Sequence, residues 1–179
     1  MNAPTIPAPQ VEVSPAGPEQ EPILANLLEL YAHDLSALFD LSLQPTGRFG
    51  YPSLARYWQD DSRFPFLVRV AGELAGFVLV SRGSRVRDDA AVWDVAEFFV
   101  VRRFRTRGVG VAAAADVWRR FPGPWEVRVL ERNVPALAFW QVAIASFTDA
   151  RLTDEVWTDA ERRIWRVFSF RSPNPRRGT

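Results

Sequence analysis

The chain has 179 residues, 47% of them hydrophobic and 24% charged, with a formal net charge of +1. That length suits a single domain of about 100–200 residues, the apolar content suits a packed core, and the near-neutral balance argues against a general nucleic-acid binder. There is no cysteine, His33 is the single histidine and all 22 basic residues are arginine, which excludes disulfides, thiolate or multi-histidine metal sites, Schiff-base lysine chemistry and a Walker A motif.

The proline- and alanine-rich start predicts a disordered lead-in over residues 1–9, with "VEV" at 11–13 as a short edge strand. Residues 1–30 carry neither the basic start nor the apolar stretch of a signal peptide, and no apolar run reaches the about 18 residues of a membrane span, so a cytoplasmic protein without a membrane partner is expected. From Pro18 to Phe39, Ile23, Leu24, Leu27, Leu28, Tyr31, Leu35 and Leu38 recur at helical spacing, predicting an amphipathic helix on a sheet. A polar stretch with a short helix near Leu54 to Trp58 follows. "FPFLVRV" and "ELAGFVLVSR" read as a hairpin turning at Ala71-Gly72, and "AVWDVAEFFVV" (91–101) as a central strand.

Helical spacing resumes from Gly108 to Phe121, "PGP" ends it, and "WEVRVL" (125–130) is another strand. "NVPALAFWQVAIA" predicts a helix with Asn133 as N-cap and Pro135 in its first turn. After an irregular acidic segment, residues 162–170 form a last strand, and 171–179 a flexible tail. The expected fold class is α/β: a mixed, mostly antiparallel sheet with helices on both faces, in one domain spanning 10–170.

"RRFRTRGVGVAAAA" (102–115) places four arginines in six positions ahead of two glycines and a helix start. Three readings compete. Gly108-Val-Gly110-Val-Ala-Ala113 fits a dinucleotide fingerprint by letters, but six residues separate Val101 from Gly108 where that motif needs its strand to run straight in. A solvated arginine loop is the plain alternative, yet two glycines in a first helical turn cost about 1 kcal/mol each. An anion cradle explains them, because small residues let unpaired helix amides approach a phosphate.

Arg105-Thr106-Arg107-Gly108-Val109-Gly110 resembles R/Q-x-x-G-x-G/A, the acetyl-CoA pyrophosphate loop of the GNAT N-acetyltransferases. Asn133 to Trp140, after the next strand, resembles that family's N-x-x-A-x-x-F/L-Y motif. The resemblance implies a splayed sheet in which the strand ending at Val101 parts from "WEVRVL". The pantetheine arm of acetyl-CoA would pair with backbone at Phe99, Val100 and Val101, amides from Arg105 to Val111 would hold the pyrophosphate, and Asn133 and Phe139 would line the arm. Acetyl-CoA is the expected co-substrate, no metal is expected, and the acetyl group would pass directly to a primary amine of a small molecule or protein. A non-catalytic acyl-CoA-binding or scaffold module of the same fold is the alternative.

Direct transfer needs a base and an acid but no nucleophile. "EFFV" resembles a strand of the polyamine acetyltransferases in which two acids face the site; Ala96 replaces the first, leaving Glu97, whose apolar setting would raise its pKa. Asp94 is the second candidate base, and either acid can instead be an arginine partner. Trp140 stands where the family often has its general-acid tyrosine, so Tyr51, Tyr57 or a water is the candidate acid. His33 reads as surface, and the tryptophans as core or edge. The apolar "IWRVFSF" suggests a homodimer through a sheet edge.

Overall fold

The computed structural model describes residues 10–148 and 152–174. Seven strands, β1 (Val11–Pro15), β2 (Arg63–Val70), β3 (Glu73–Arg82), β4 (Trp93–Val100), β5 (Gly123–Leu130), β6 (Thr153–Thr158) and β7 (Ile164–Ser172), accompany the helices α1 (Glu21–Phe39), α2 (Val109–Arg120) and α3 (Val134–Phe147). The strands form one sheet in the order β1-β2-β3-β4-β5-β7-β6. Neighbours are antiparallel except β4 and β5, which are parallel. This is the mixed, mostly antiparallel α/β sheet the sequence predicts.

Two apolar layers show why these segments hold together. On one face Leu24, Leu27 and Leu28 of α1 pack with Leu67, Phe77, Leu79 and Phe99 from the sheet. On the other, Ala113, Ala114, Val117 and Trp118 of α2 and Trp140, Ala143 and Ile144 of α3 cover Val78, Val80, Val127 and Phe168. Each fully buried leucine contributes about 1.5–3 kcal/mol, so the first half of α1 is firmly anchored. Its second half, from Leu35 onward, is only half buried, and Asp40 ends it in the left-handed region at φ 53. The β2–β3 hairpin turns through Ala71 (φ 49) and Gly72 (φ 82), the paired positive φ of a turn that matches strand twist.

Several expectations need correction. The helix drawn from Pro18 begins as a 3-10 turn, Pro18–Gln20, before α1. The supposedly irregular acidic segment contains β6, a strand invisible to pattern reading because nearly all of its residues are exposed. The final strand pairs on both sides, with β5 and with β6, so "IWRVFSF" offers no free edge and the homodimer contact suggested for it has no basis there; β1 and β6 are the edges. Residues 171 and 172, assigned to the tail, complete β7. The lead-in 1–9 and the tail from 175 lie outside the described residues.

Gly76 lies opposite Val100 in the β3–β4 pair, and a Cβ on it would fall 2.0 Å from the Phe99 carbonyl oxygen. Gly76→Ala is therefore expected to lower stability by about 1–3 kcal/mol, the usual range for overpacking, read from urea denaturation midpoints; an unchanged midpoint would show that the strands can move apart freely.

Candidate functional site

The parallel pair is almost nominal. β4 and β5 pair only at Trp93↔Trp125 and Asp94↔Glu126 and then separate. At the joined end the Trp93 ring lies 4.6 Å from Phe121 and 6.2 Å from Trp125, and Arg128 reaches across from β5 to both carboxylate oxygens of Asp94, at 3.3 and 3.2 Å. Further along, Phe98 of β4 meets Phe139 and Trp140 of α3 at 5.6 and 4.9 Å. Aromatic rings stand where continued pairing would put a strand.

The parting opens one edge of β4. Val101 N–H donates to the Ala75 carbonyl at 2.8 Å, which fixes its amide toward β3; strand alternation then turns Phe98 and Val100 backbone groups into the gap. Arg105 Nε donates to the Val100 carbonyl at 2.6 Å. Of the three residues predicted to pair with a pantetheine arm, Val100 faces the gap, whereas the backbone of Phe99 and Val101 faces β3. Phe98, which the sequence did not single out, faces the gap with Val100.

β4 leads through a 3-10 turn, Arg102–Phe104, into the first turn of α2. Gly108 is its N-cap at φ 75, a conformation that favours glycine, and no heavy atom lies within 4 Å of where its Cβ would be. Gly110 is constrained differently: a Cβ there would meet the Phe139 ring at 2.9 Å. Within the helix the Ala112 amide bonds the Gly108 carbonyl at 3.0 Å, which leaves the amides of Val109, Gly110 and Val111 without intrahelical acceptors. Arg102 and Arg105 share Asp34, at 2.7 and 2.5 Å. Burial works against the Asp34 charge, but these two hydrogen bonds outweigh it and lower the pKa. Arg103 pairs with Glu73. Exposed Arg107 has no ion pair among the described residues. Open space above Gly108, unpaired amides and flanking guanidinium groups fit a pyrophosphate.

Glu97 sits beside the gap, and a β-bulge puts it there. Leu79 pairs with Glu97 and Val80 with Val95, so Ala96 is an extra residue. Regular alternation would place Glu97 with Trp93 and Val95, on the α2–α3 face; the bulge turns it to the α1 face. There Tyr31 donates to its Oε2 at 2.7 Å and Tyr51 to its Oε1 at 3.0 Å. Burial raises the Glu97 pKa, and the two hydroxyl bonds and the Arg128 charge offset part of that rise. Burial, then the Glu97 charge, raises the pKa of both tyrosines. The result is a carboxyl group held between two protonated phenols.

A cavity of about 1050 Å³ joins these parts, running past Thr106, Gly110, Asn133 and Phe139 to Glu97, Tyr31 and Tyr51. Asn133 also caps α3, accepting from the Ala136 amide at 3.3 Å. Asp94 is not in the cavity lining; its side chain is fully buried, 0% exposed, and occupied by Arg128, the arginine-partner reading given above. Tyr57 lies in the α1-side core, 3% exposed, and Trp140 is packed between Phe98, Phe139 and Trp118. His33 is exposed. Tyr31 is the residue pattern reading missed, because at its position in the apolar stripe of α1 it reads as packing.

A split sheet, an opened strand edge and a glycine-bearing helix N-terminus define the architecture of an acyl-CoA transferase fold. No protein-family model matches the chain, and no curated protein matches it in sequence. Solved structures do. A GNAT-family protein of Desulfovibrio desulfuricans aligns at TM-score 0.63 with 11% identity, over 90% of this chain and 99% of that one. The ribosomal-protein-S18-alanine N-acetyltransferase of Escherichia coli aligns at TM-score 0.60 with 13% identity, over 95% and 99%. The spermidine N-acetyltransferase of Vibrio cholerae, in complex with CoA and spermine, aligns at 0.62 with 12% identity, over 91% and 96%. The chain has the fold of the GNAT acetyltransferases, the family its two motifs resemble. Among the described residues no helix is long and apolar enough to cross a membrane.

Folding raises the Glu97 pKa above its ordinary value of 4.5, so the folded chain holds this proton over a window in which the unfolded chain has released it. Stability from this group therefore falls as pH rises through that window and stays lower above it. Glu97→Gln removes the dependence, so urea unfolding from about pH 4 to about pH 8 should show the variant gaining on the wild type as pH rises. A constant difference, or one of opposite slope, would contradict the raised pKa.

Proposed function

We propose that the chain is an acetyl-CoA-dependent N-acetyltransferase that moves acetyl directly to a primary amine. The observation that carries this reading is Glu97, a carboxyl group with a raised pKa, beside the opened edge of β4 in the same cavity as the α2 N-terminus. Amides from Arg105 to Val111 hold the pyrophosphate, with Arg105, Thr106 and Arg107 around it and Gly108 leaving room for it. Val109 anchors the turn through its buried side chain. The Phe98 backbone groups and the Val100 amide receive the pantetheine arm, which passes Asn133 and Phe139.

Acetyl-CoA supplies the activated acyl group as a thioester. Glu97 accepts the proton of the attacking amine as the new C–N bond forms and the C–S bond breaks. Tyr51 gives its hydroxyl proton to the departing sulfur and regains one from Glu97 across their 3.0 Å hydrogen bond. Tyr31 holds the other carboxylate oxygen and keeps the group oriented. Asp94, saturated by Arg128, fixes the joined end of the strands and takes no proton. Nucleic acid is not a partner in this reading, since the formal net charge is only +1 and the binding groups are helix amides gathered around one anion rather than a basic surface.

Calorimetric titration with acetyl-CoA tests the cofactor half. Wild type should bind and Gly108→Glu should not, while Gly108→Ala, equally strained at φ 75 but uncharged, should retain binding. Failure of the wild type to bind would remove the proposal. For the chemical half, Glu97→Gln should keep acetyl-CoA affinity and lose about 100-fold or more in transfer rate. Binding without transfer to any amine would leave a non-catalytic acyl-CoA-binding module.

A further inference from the structure

Beyond Glu97 the cavity changes character. Its wall on that side comes from Leu35, Leu38, Phe39 and Leu41, at the end of α1 and just past it, together with Phe49 and Trp165. The rings of Phe39 and Trp165 meet at 5.7 Å, tilted by 41°. Leu41 is 42% exposed, so the apolar lining continues to the mouth, where a large aliphatic side chain gains nothing from burial in its own core. This is also where α1 loses its hold on the core.

Charge in the cavity is equally informative. Its lining contains two carboxylates, Asp34 and Glu97. Both Asp34 oxygens are taken by Arg102 and Arg105, on the side of the helix N-terminus. The Glu97 oxygens accept only from the neutral hydroxyls of Tyr31 and Tyr51, so Glu97 is the one carboxylate of the lining not already paired with an arginine. Arg128 and Arg132 complete the charged lining; Arg128 is already neutralised by Asp94, and Arg132 repels a cation. An amine carrying further ammonium groups would bring them into apolar surroundings that offer no unpaired carboxylate besides Glu97.

Resting on the acetyltransferase reading, we infer that the acceptor is a primary monoamine on an apolar, ring-bearing body, arylalkylamine in type, and not a polyamine. The amine nitrogen sits at Glu97, between the tyrosine hydroxyls. The apolar body lies against Leu38, Phe39, Leu41 and Trp165. The same chemistry is presented by a small arylalkylamine or by a peptide whose first residue is apolar.

The test measures coenzyme A thiol release with phenethylamine, spermidine, a peptide beginning with phenylalanine and an N-terminally blocked peptide bearing one lysine, alongside calorimetric titration of the protein with phenethylamine and with spermidine. Phenethylamine or the phenylalanine peptide should exceed spermidine in kcat/KM by about tenfold or more, and the better of the two assigns the source. Phenethylamine should also bind directly, with spermidine showing no heat. Leu41→Glu adds a carboxylate at the exposed mouth, and should shift the ratio of spermidine to phenethylamine turnover upward by about tenfold with acetyl-CoA affinity unchanged, a change that loss of folding cannot produce. Preferred transfer to spermidine or to the lysine peptide, or a ratio unmoved in Leu41→Glu, would overturn the inference while leaving the acetyltransferase reading intact. Phenethylamine binding without transfer to any amine would overturn the acetyltransferase reading and with it the amine's role as acceptor, and loss of both acetyl-CoA and amine binding would remove both.

Discussion

The separation of β4 from β5 is the constraint on which the site depends. A parallel pair held at two positions leaves strand amides and carbonyls without partners, which ordinarily costs stability. Here the joined end is reinforced by the Trp93, Phe121 and Trp125 rings and by the Asp94–Arg128 pair, while Phe98, Phe139 and Trp140 occupy the fork. The same rings set the neighbouring loop: Phe139 covers Gly110 closely enough that only a hydrogen fits there. The open edge and the helix N-terminus are therefore two consequences of one packing arrangement.

The bulge at Ala96 decides which face Glu97 takes. Without it, alternation along β4 would turn Glu97 to the apolar face of Trp93 and Val95, away from Tyr31 and Tyr51. With it, the side chain reaches the face of α1 and meets Tyr31 and Tyr51. The strand end that carries Glu97 continues directly into the loop before α2, so the carboxyl group and the helix N-terminus open onto one cavity. Asp94, before the bulge, keeps its regular orientation and serves as the counter-ion of Arg128.

Much of this was legible in the residues. Apolar runs bounded by Ala71-Gly72 and Pro122-Gly123-Pro124 mark strands, the leucine stripe marks α1, and the paired loop and Asn133 motifs point to the fold. What escaped has physical reasons. β6 buries no face that periodicity can detect, and β7 gains its second neighbour only because β6 exists. Backbone direction alternates along β4, so of three consecutive residues taken as partners of the arm only Val100 turns toward the gap; and a bulge leaves no local trace in "DVAEFF", so the face Glu97 takes was not readable there. Tyr31 lies 66 positions from Glu97, a distance only the tertiary fold closes. Trp140 was read as a missing acid; in the structure it is part of the wedge, and the phenols come from α1 and the following loop instead.

Hydrogen exchange of backbone amides with and without acetyl-CoA tests the central claim most directly, because it reads the opened strand edge itself. The account predicts slower exchange at Phe98, Val100 and Val109 to Val111 on adding acetyl-CoA, with no change at Phe66 to Val68 on the far side of the sheet. Exchange unaltered along β4 and at the start of α2, or protection appearing elsewhere, would contradict it.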